Sequence, residues 1–455
     1  MLRILSLAAV SAAVILTACS SGEEVIREDT GPHGSGYVVG DEPFAVRTGA
    51  AILAEGGSAA DAAAGMYFSL SATYPVAAGL GGGGLCIVHD QPSGRTETFN
   101  FLARDAASGG PFAVPGNVKG FAAMQAAYGQ LPWQRDVSPG EQFAATGFPI
   151  SKALADRLAT NLDVIRLDAG LAAEFLDESG RVKAPGTVVS NPALAQTLSY
   201  IRMYGPNGFY RGDNAAKIAA YTTGQSGAIT TAELDSYAAG RAAPRTVALG
   251  SEIGYLPTDR IGSGAFTGML LGRLVDANGN IIPGDQAAAA TATATKAALD
   301  QFGISELPRD LGATGFAAVD GDGQAVSCAV TMNGPFGSGH TALGTGVTLA
   351  RAPSSGKAGI AAAFLTPVIA TDSSGSISLA GAGAGGPNGT AAIAYALVKL
   401  ARGEDMTQPG AIRSTGIAPY DTVNVISCQG ATCATLPDPQ AHGLGAAAGQ
   451  APSGD

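Results

Sequence analysis

Apolar positions recur at helical spacing through residues 43 to 74, notably Ala45, Ile52, Leu53, Ala60, Ala63, Ala64 and Tyr67. The pattern predicts two packed helices broken at Gly56-Gly57. Gly81 to Gly84 then opens a strand over Leu85 to His89. Further helices are predicted at 117 to 128, 151 to 160, 192 to 204 and 212 to 222, with Pro132, Pro149 and Pro206 marking turns. The period changes at 315 to 333. There Phe316 to Val319 and Gln324 to Thr331 are β-rich runs flanking Asp320-Gly-Asp-Gly323, a pattern that predicts a hairpin with aspartates capping turn N–H groups. A second strand pair is expected at 364 to 371 and 376 to 381, around Asp372-Ser-Ser-Gly375. Helices beside antiparallel hairpins predict a layered α/β (α+β) sandwich. Residues 276 to 300 read as a linker plus a helix, and 436 to 455, rich in Pro, Gly and Ala, as a flexible tail.

Composition narrows the function classes. Of 455 residues 65 are Gly, 46% are hydrophobic and 14% are charged, against about 25% charged in ordinary soluble domains. That balance excludes charge-driven disorder, and the length suits one or two domains. Acidic residues outnumber basic ones 37 to 26, for a net charge of -11, and no Lys/Arg run is present to neutralise successive phosphates. No nucleic-acid partner is expected.

The N-terminus carries a basic start (Met1 to Arg3), an apolar run (Ile4 to Ala18) and Leu16-Thr17-Ala18-Cys19, which resembles a bacterial lipoprotein signal with its lipobox. Cys19 would be lipidated. The run is shorter than the roughly 20 residues a membrane span needs. Residues 1–19 are therefore read as signal peptide and 20–35 as a flexible tether. The expected location is the periplasmic side of a bacterial cell envelope, with the membrane as partner through the lipid.

Cys428 and Cys433 close a short loop, and export makes a disulfide the expectation there. Cys86 and Cys328 lie in apolar strand-like segments and are expected as buried inert thiols, with a bond between them left open. The four histidines, His33, His89, His340 and His442, are scattered, so no metal is expected. The Gly81–Gly84 tetrad lacks the following helix or Gly-Lys-Ser/Thr loop of a phosphate cradle. Ser338 and His340 sit two residues apart with no oriented acid, and no G-x-S-x-G elbow occurs. No cofactor is expected.

Ordered blocks over much of the chain resemble the γ-glutamyltransferase (glutathione hydrolase) family. They are Gly49-Ala-Ala-Ile-Leu-Ala-Glu-Gly-Gly-Ser-Ala-Ala-Asp-Ala-Ala, Gly79-Leu-Gly-Gly-Gly-Gly, Val114-Pro-Gly-Asn-Val-Lys-Gly, Tyr128-Gly-Gln-Leu-Pro-Trp133, Tyr204-Gly-Pro-Asn-Gly-Phe-Tyr-Arg-Gly212, Phe316 to Asn333, Phe336-Gly-Ser-Gly339 and Gly383 to Gly386. The resemblance implies a four-layer αββα N-terminal-nucleophile hydrolase sandwich, made as a proenzyme that cuts itself before a threonine. That threonine attacks a γ-glutamyl carbonyl, with its freed α-amine as base, and the substrates are small γ-glutamyl peptides such as glutathione. On this reading 36–312 is a large-subunit-like part and 313–435 a small-subunit-like part of the same sandwich.

The family's register sets an Asp seven residues after the nucleophile, a Gly ten after, a Thr eighteen after and an Asn twenty after. Here Asp320, Gly323, Thr331 and Asn333 hold it and place Ala313 at the nucleophile, Thr314 at the second threonine and Gly315 at the histidine. Alanine has no hydroxyl for self-cleavage or for attack, so loss of both is the expectation. The alternative is cleavage between 313 and 314 with Thr314 as nucleophile, which must overcome the reversal of side-chain direction that a one-residue shift imposes on a strand. The family's Asp-Phe-Arg-Glu motif reads Asn100-Phe101-Leu102-Ala103, leaving Arg104 as the nearest guanidinium for a substrate carboxylate. The Asn-Asn-x-x-x-Asp segment is replaced by Leu349-Ala-Arg-Ala-Pro-Ser, and Ser-Ser-Met-Ser-Pro by Ala363-Phe364-Leu365-Thr366-Pro367. Gly385-Gly386, the family's oxyanion-hole pair, is kept. The candidate site residues are thus Thr314 and Thr331 for catalysis and Arg104, Asn333, Gly385 and Gly386 for substrate. A further alternative is a binding or scaffold protein using the old pocket, made less polar by Leu102, Ala363 and Phe364.

Overall fold

In the computed structural model the described residues are 35–225, 227–258, 263–274, scattered positions from 289 to 307, 309–356, 358–404, 406, 421–430 and 432–449. The expected signal peptide with Cys19, nearly all of the expected tether and most of the 276–300 segment lie outside them.

Residues Gly31–Asp455 form one compact unit. Its first main sheet runs, edge to edge, through Leu444–Ala447, Gly36–Gly40, Ala313–Asp320, Gln324–Thr331, Gly83–Asp90, Arg95–Asn100 and Gly240–Ala242. The second runs through Thr432–Leu436, Thr422–Gln429, Ile377–Ala384, Thr366–Thr371, Glu252–Leu256 and Arg245–Leu249. Neighbouring strands in both are antiparallel. Side chains alternate across each strand, so each sheet has two faces to cover. The inner faces meet through Val39, Ile87, Ala317, Ile369, Ala380 and Ile426. The outer face of the first sheet is covered by helices Pro43–Ala54 and Ala59–Thr73, and that of the second by Pro387–Ala401. The arrangement is the expected four-layer αββα sandwich.

Local chemistry explains why these helices start where they do. Glu42 caps the first, accepting from Ala45 N–H at 2.9 Å. Ser58 and Asp61 form a reciprocal capping box on the second, satisfying N–H groups that a helix start leaves unpaired. The two helices pack tightly because Gly65 has no side chain; a Cβ there would collide with Ile52 Cδ1. Asp320 connects hairpin to helix: its Oδ1 accepts from Asp322 and Gln324 N–H in the turn, and its Oδ2 from Ala59 N–H.

Three sequence expectations change. Residues 444–447 are not a frayed tail but an edge strand paired with Gly36–Gly40, contributing Ala446 to the core margin. Cys86 and Cys328 are not free thiols; they stand directly opposite on neighbouring strands and are bonded, as are Cys428 and Cys433. Helix Trp133–Thr146 was not anticipated because Pro139 lies inside it, a residue that removes one helical hydrogen bond. Tertiary packing outweighs that loss: Gly140 lies against the Phe68 backbone and Val137 is fully buried.

Candidate functional site

Ala313 opens the strand Ala313–Asp320 and pairs in register with Thr331. Its methyl group is fully buried in a cluster with Leu85, Ala329, Leu365, Ala382 and Ala384, against which Leu102 packs. Leu102, which stands where the resemblance would put the substrate-clamping arginine, thus packs with Leu365 against the residue at the nucleophile position in one apolar contact. No hydroxyl is available at Ala313 to attack a carbonyl. The Thr331 hydroxyl donates to the carbonyls of Gly312 (3.0 Å) and Leu311 (3.2 Å) and accepts from Asn333 N–H, so it fastens the strand end.

The Ala313 carbonyl accepts from Arg157 Nη1 at 3.0 Å. Arg157 is buried, lies over the Tyr74 ring and forms a two-pronged ion pair with Asp310, including Nε to Oδ2 at 3.1 Å. Asp310 also accepts from Gly312 N–H at 2.7 Å and from Asn161 at 3.2 Å. Gly312 is required by this bend: its φ is +61°, and a Cβ would strike the Gly334 carbonyl.

Thr314 takes the opposite direction. It is 1% exposed, and its hydroxyl donates to Asp41 Oδ2 at 2.6 Å. Asp41 also accepts from Thr422 (3.0 Å) and Asn424 (2.7 Å) of the second sheet. Burial pushes the Asp41 carboxyl above its ordinary range, although the three donors oppose the rise. A hydroxyl beside a carboxylate is the pairing a base-activated nucleophile needs. This one is walled into the contact between the sheets and lines no described cavity.

The remaining candidates separate. Asn333 is in the left-handed region (φ 58°), a conformation that asparagine tolerates better than most residues, and its side chain donates to the Arg351 carbonyl at 2.9 Å. It lines a cavity of about 300 Å³ together with Asp310, Leu311, Arg309, Arg351 and Ile360. Arg104 does not join it: its guanidinium donates to the Ala238 carbonyl at 2.9 Å and lies over the Tyr237 ring. Nor do Leu102, Ala363 and Phe364 line it. Ala363 and Phe364 pack instead with Phe266 and Leu311. Gly386 caps helix Pro387–Ala401, where a Cβ on it would strike the Asp421 carboxylate, which accepts from Asn388 N–H at 3.1 Å. Burial pushes the Asp421 carboxyl up to about 6. Ser338 and His340 serve different partners, the Leu349 carbonyl and the Tyr221 hydroxyl.

Arg157, Asp310, Asp41 and Asp421 were not singled out in the sequence. Only Arg157 carried a signal: it lies three residues from Leu154 and four from Ala153, on the apolar stripe of its helix, where an unpaired charge would be costly.

The family described as Gamma-glutamyltranspeptidase matches residues 45–278, just over half of the chain. Glutathione hydrolase 2 of Arabidopsis thaliana is 32% identical over 217 residues, covering 44% of this chain and 37% of that protein. The glutathione hydrolase proenzyme of Escherichia coli K12 is 32% identical over 246 residues, covering 48% and 41% respectively. The matched stretches therefore span about two-fifths of these relatives. Among solved structures, cephalosporin acylase from Bacillus halodurans superposes with a TM-score of 0.75 at 18% identity, covering 95% of this chain and 99% of that one. This is a likeness of fold. Positions 313 to 333 lie outside the family match.

Proposed function

The chain belongs to the gamma-glutamyltranspeptidase family, and on that premise we propose that this member keeps the fold but neither cuts itself nor transfers or hydrolyses γ-glutamyl groups. The observation that carries the reading is the full burial of Ala313 in an apolar cluster at the nucleophile position. A missing nucleophile alone removes orders of magnitude of rate, and here no polar group replaces it. The protein acts at the bacterial cell envelope as a binding or scaffold protein, exported and held to the membrane through Cys19. Two disulfides between described cysteines fit an oxidising compartment. Incubating purified full-length protein with γ-glutamyl-p-nitroanilide tests the catalytic half: release at the protein-free rate is expected, and turnover would contradict it. Fatty-acid labelling that disappears in Cys19→Ala tests the anchor.

A second reading has one observation in its favour, the 2.6 Å contact between Thr314 and Asp41. Cleavage between 313 and 314 would free Thr314 as a nucleophile with a carboxylate beside it. That reading requires turnover that Thr314→Val abolishes.

A further inference from the structure

The cavity beside the Ala313 strand end collects positive charge in a chain whose net charge is -11. Arg309 and Arg351 both line it, and among the described residues neither guanidinium has an ion-pair partner. Asp310 shares the wall but does not neutralise them, because its carboxylate is already held by Arg157, Gly312 N–H and Asn161. Gly334 lies beside the Arg351 guanidinium: a Cβ built there would stand in ordinary contact, 3.8 Å from its Cζ. Arg351 is half-buried. The lining also includes the aliphatic side chains of Leu311, Ile360 and Pro335. The volume of about 300 Å³ is at the small end of ligand pockets.

From this geometry we infer that the cavity binds a small aliphatic dicarboxylate, one carboxylate on the Arg351 fork and the second on Arg309, with the methylene body on the Leu311–Ile360 wall. Guanidinium forks match planar carboxylates in two parallel hydrogen bonds, and two forks select two such groups. A phosphate would satisfy one fork but leave the aliphatic wall without a partner.

The inference rests on the reading that Ala313 leaves this region a binding site rather than a reacting one, and the two fail separately. Turnover of γ-glutamyl-p-nitroanilide would defeat that reading, whereas the following titration tests the inference alone. Full-length protein is titrated calorimetrically at low salt with glutarate, and in parallel with the uncharged glutaramide and with inorganic phosphate. Saturable glutarate binding is expected, weakened at least tenfold by R351Q and by R309Q and by raising the salt, with glutaramide showing none. Unfolding midpoints of both variants confirm that they are folded; Arg309 is exposed, so R309Q remains informative if R351Q is destabilised. Absence of glutarate binding, equal binding of glutaramide, tighter binding of phosphate, or unchanged affinity in folded R351Q and R309Q would each overturn the inference.

Discussion

Around Ala313 the walls are Leu85, Leu365, Ala382 and Ala384; two residues earlier, Leu311 lines a cavity that also holds Arg309, Arg351 and Asn333. The first space is filled by apolar side chains, and the second is an open cavity lined by two arginines. Between them lies the buried Arg157–Asp310 pair, whose charges are matched to each other and to backbone groups. The comparison teaches that polar character has not vanished from this end of the sandwich. It is absent at Ala313 and present in the lining of the neighbouring cavity.

The largest effect should come from unbalancing the boundary. Arg157→Ala strands the Asp310 charge, and a loss of about 3–5 kcal/mol in urea unfolding is expected, as for other broken buried pairs. Replacing both members with apolar residues, Arg157→Met with Asp310→Leu, should recover much of it; an equal or greater loss would show that the backbone contacts, not the charges, hold the strand end.

Next is the apolar side. Ala313→Thr inserts a methyl and a hydroxyl into a filled apolar cluster and should cost about 1–3 kcal/mol without restoring self-cleavage. A stable variant that cuts itself would mean the space around Ala313 is still a reaction site.

The pH dependence of stability offers a milder test. Burial pushes Asp421 and Asp438 up to about 6 and Asp136 up to about 9. Among the described residues neither Asp136 oxygen has a hydrogen-bond partner, and the side chain is fully buried. In each case the folded state holds its proton to higher pH than the unfolded chain does. The stabilisation is complete below about pH 4 and falls as pH rises, by about 1 kcal/mol per pH unit per group, until the folded value is passed. Asp421 and Asp438 therefore contribute their loss between about pH 4 and 6, and Asp136 continues its own to about 9. Asp136→Asn should flatten the decline between pH 7 and 9 while leaving the slope below pH 6 mostly in place. An unchanged alkaline slope would remove Asp136 from the account.

The smallest effect is expected at Arg104. Exposed and paired with the Ala238 carbonyl and the Tyr237 ring, it should cost within about 0.5 kcal/mol when changed to Ala. A tenfold loss of glutarate affinity in that variant would move the carboxylate site away from Arg351.

What was legible in the sequence follows from local physics. The helix pair at 43–54 and 59–73, the hairpin at 313–331 and the strand pair at 366–384 announce themselves through period, caps and turn residues that act within a few positions of each other. That Ala313 stands at the nucleophile position is what the family's spacing from Asp320 implies, and the strand pairing sets Ala313 opposite Thr331. Partners separated by hundreds of residues were not legible. Asp41 meets Thr314 across 273 positions and Asn424 across 383, and nothing in the spacing of either announces the contact. Nor does spacing announce that Phe364 packs in a cluster with Phe266, or that Arg351 lines the cavity beside Asn333. Strand 444–447 escaped notice because Gly and Ala carry little β signal, and only pairing with Gly36–Gly40 defines it.

The central claim, that this family member has no working nucleophile at 313, is tested most directly by the intact mass of the purified, reduced and denatured protein. The account predicts one uncut chain running through residues 313 and 314, unchanged on prolonged incubation. Two fragments that together span the chain, the smaller beginning at Thr314 and absent in Thr314→Val, would contradict it.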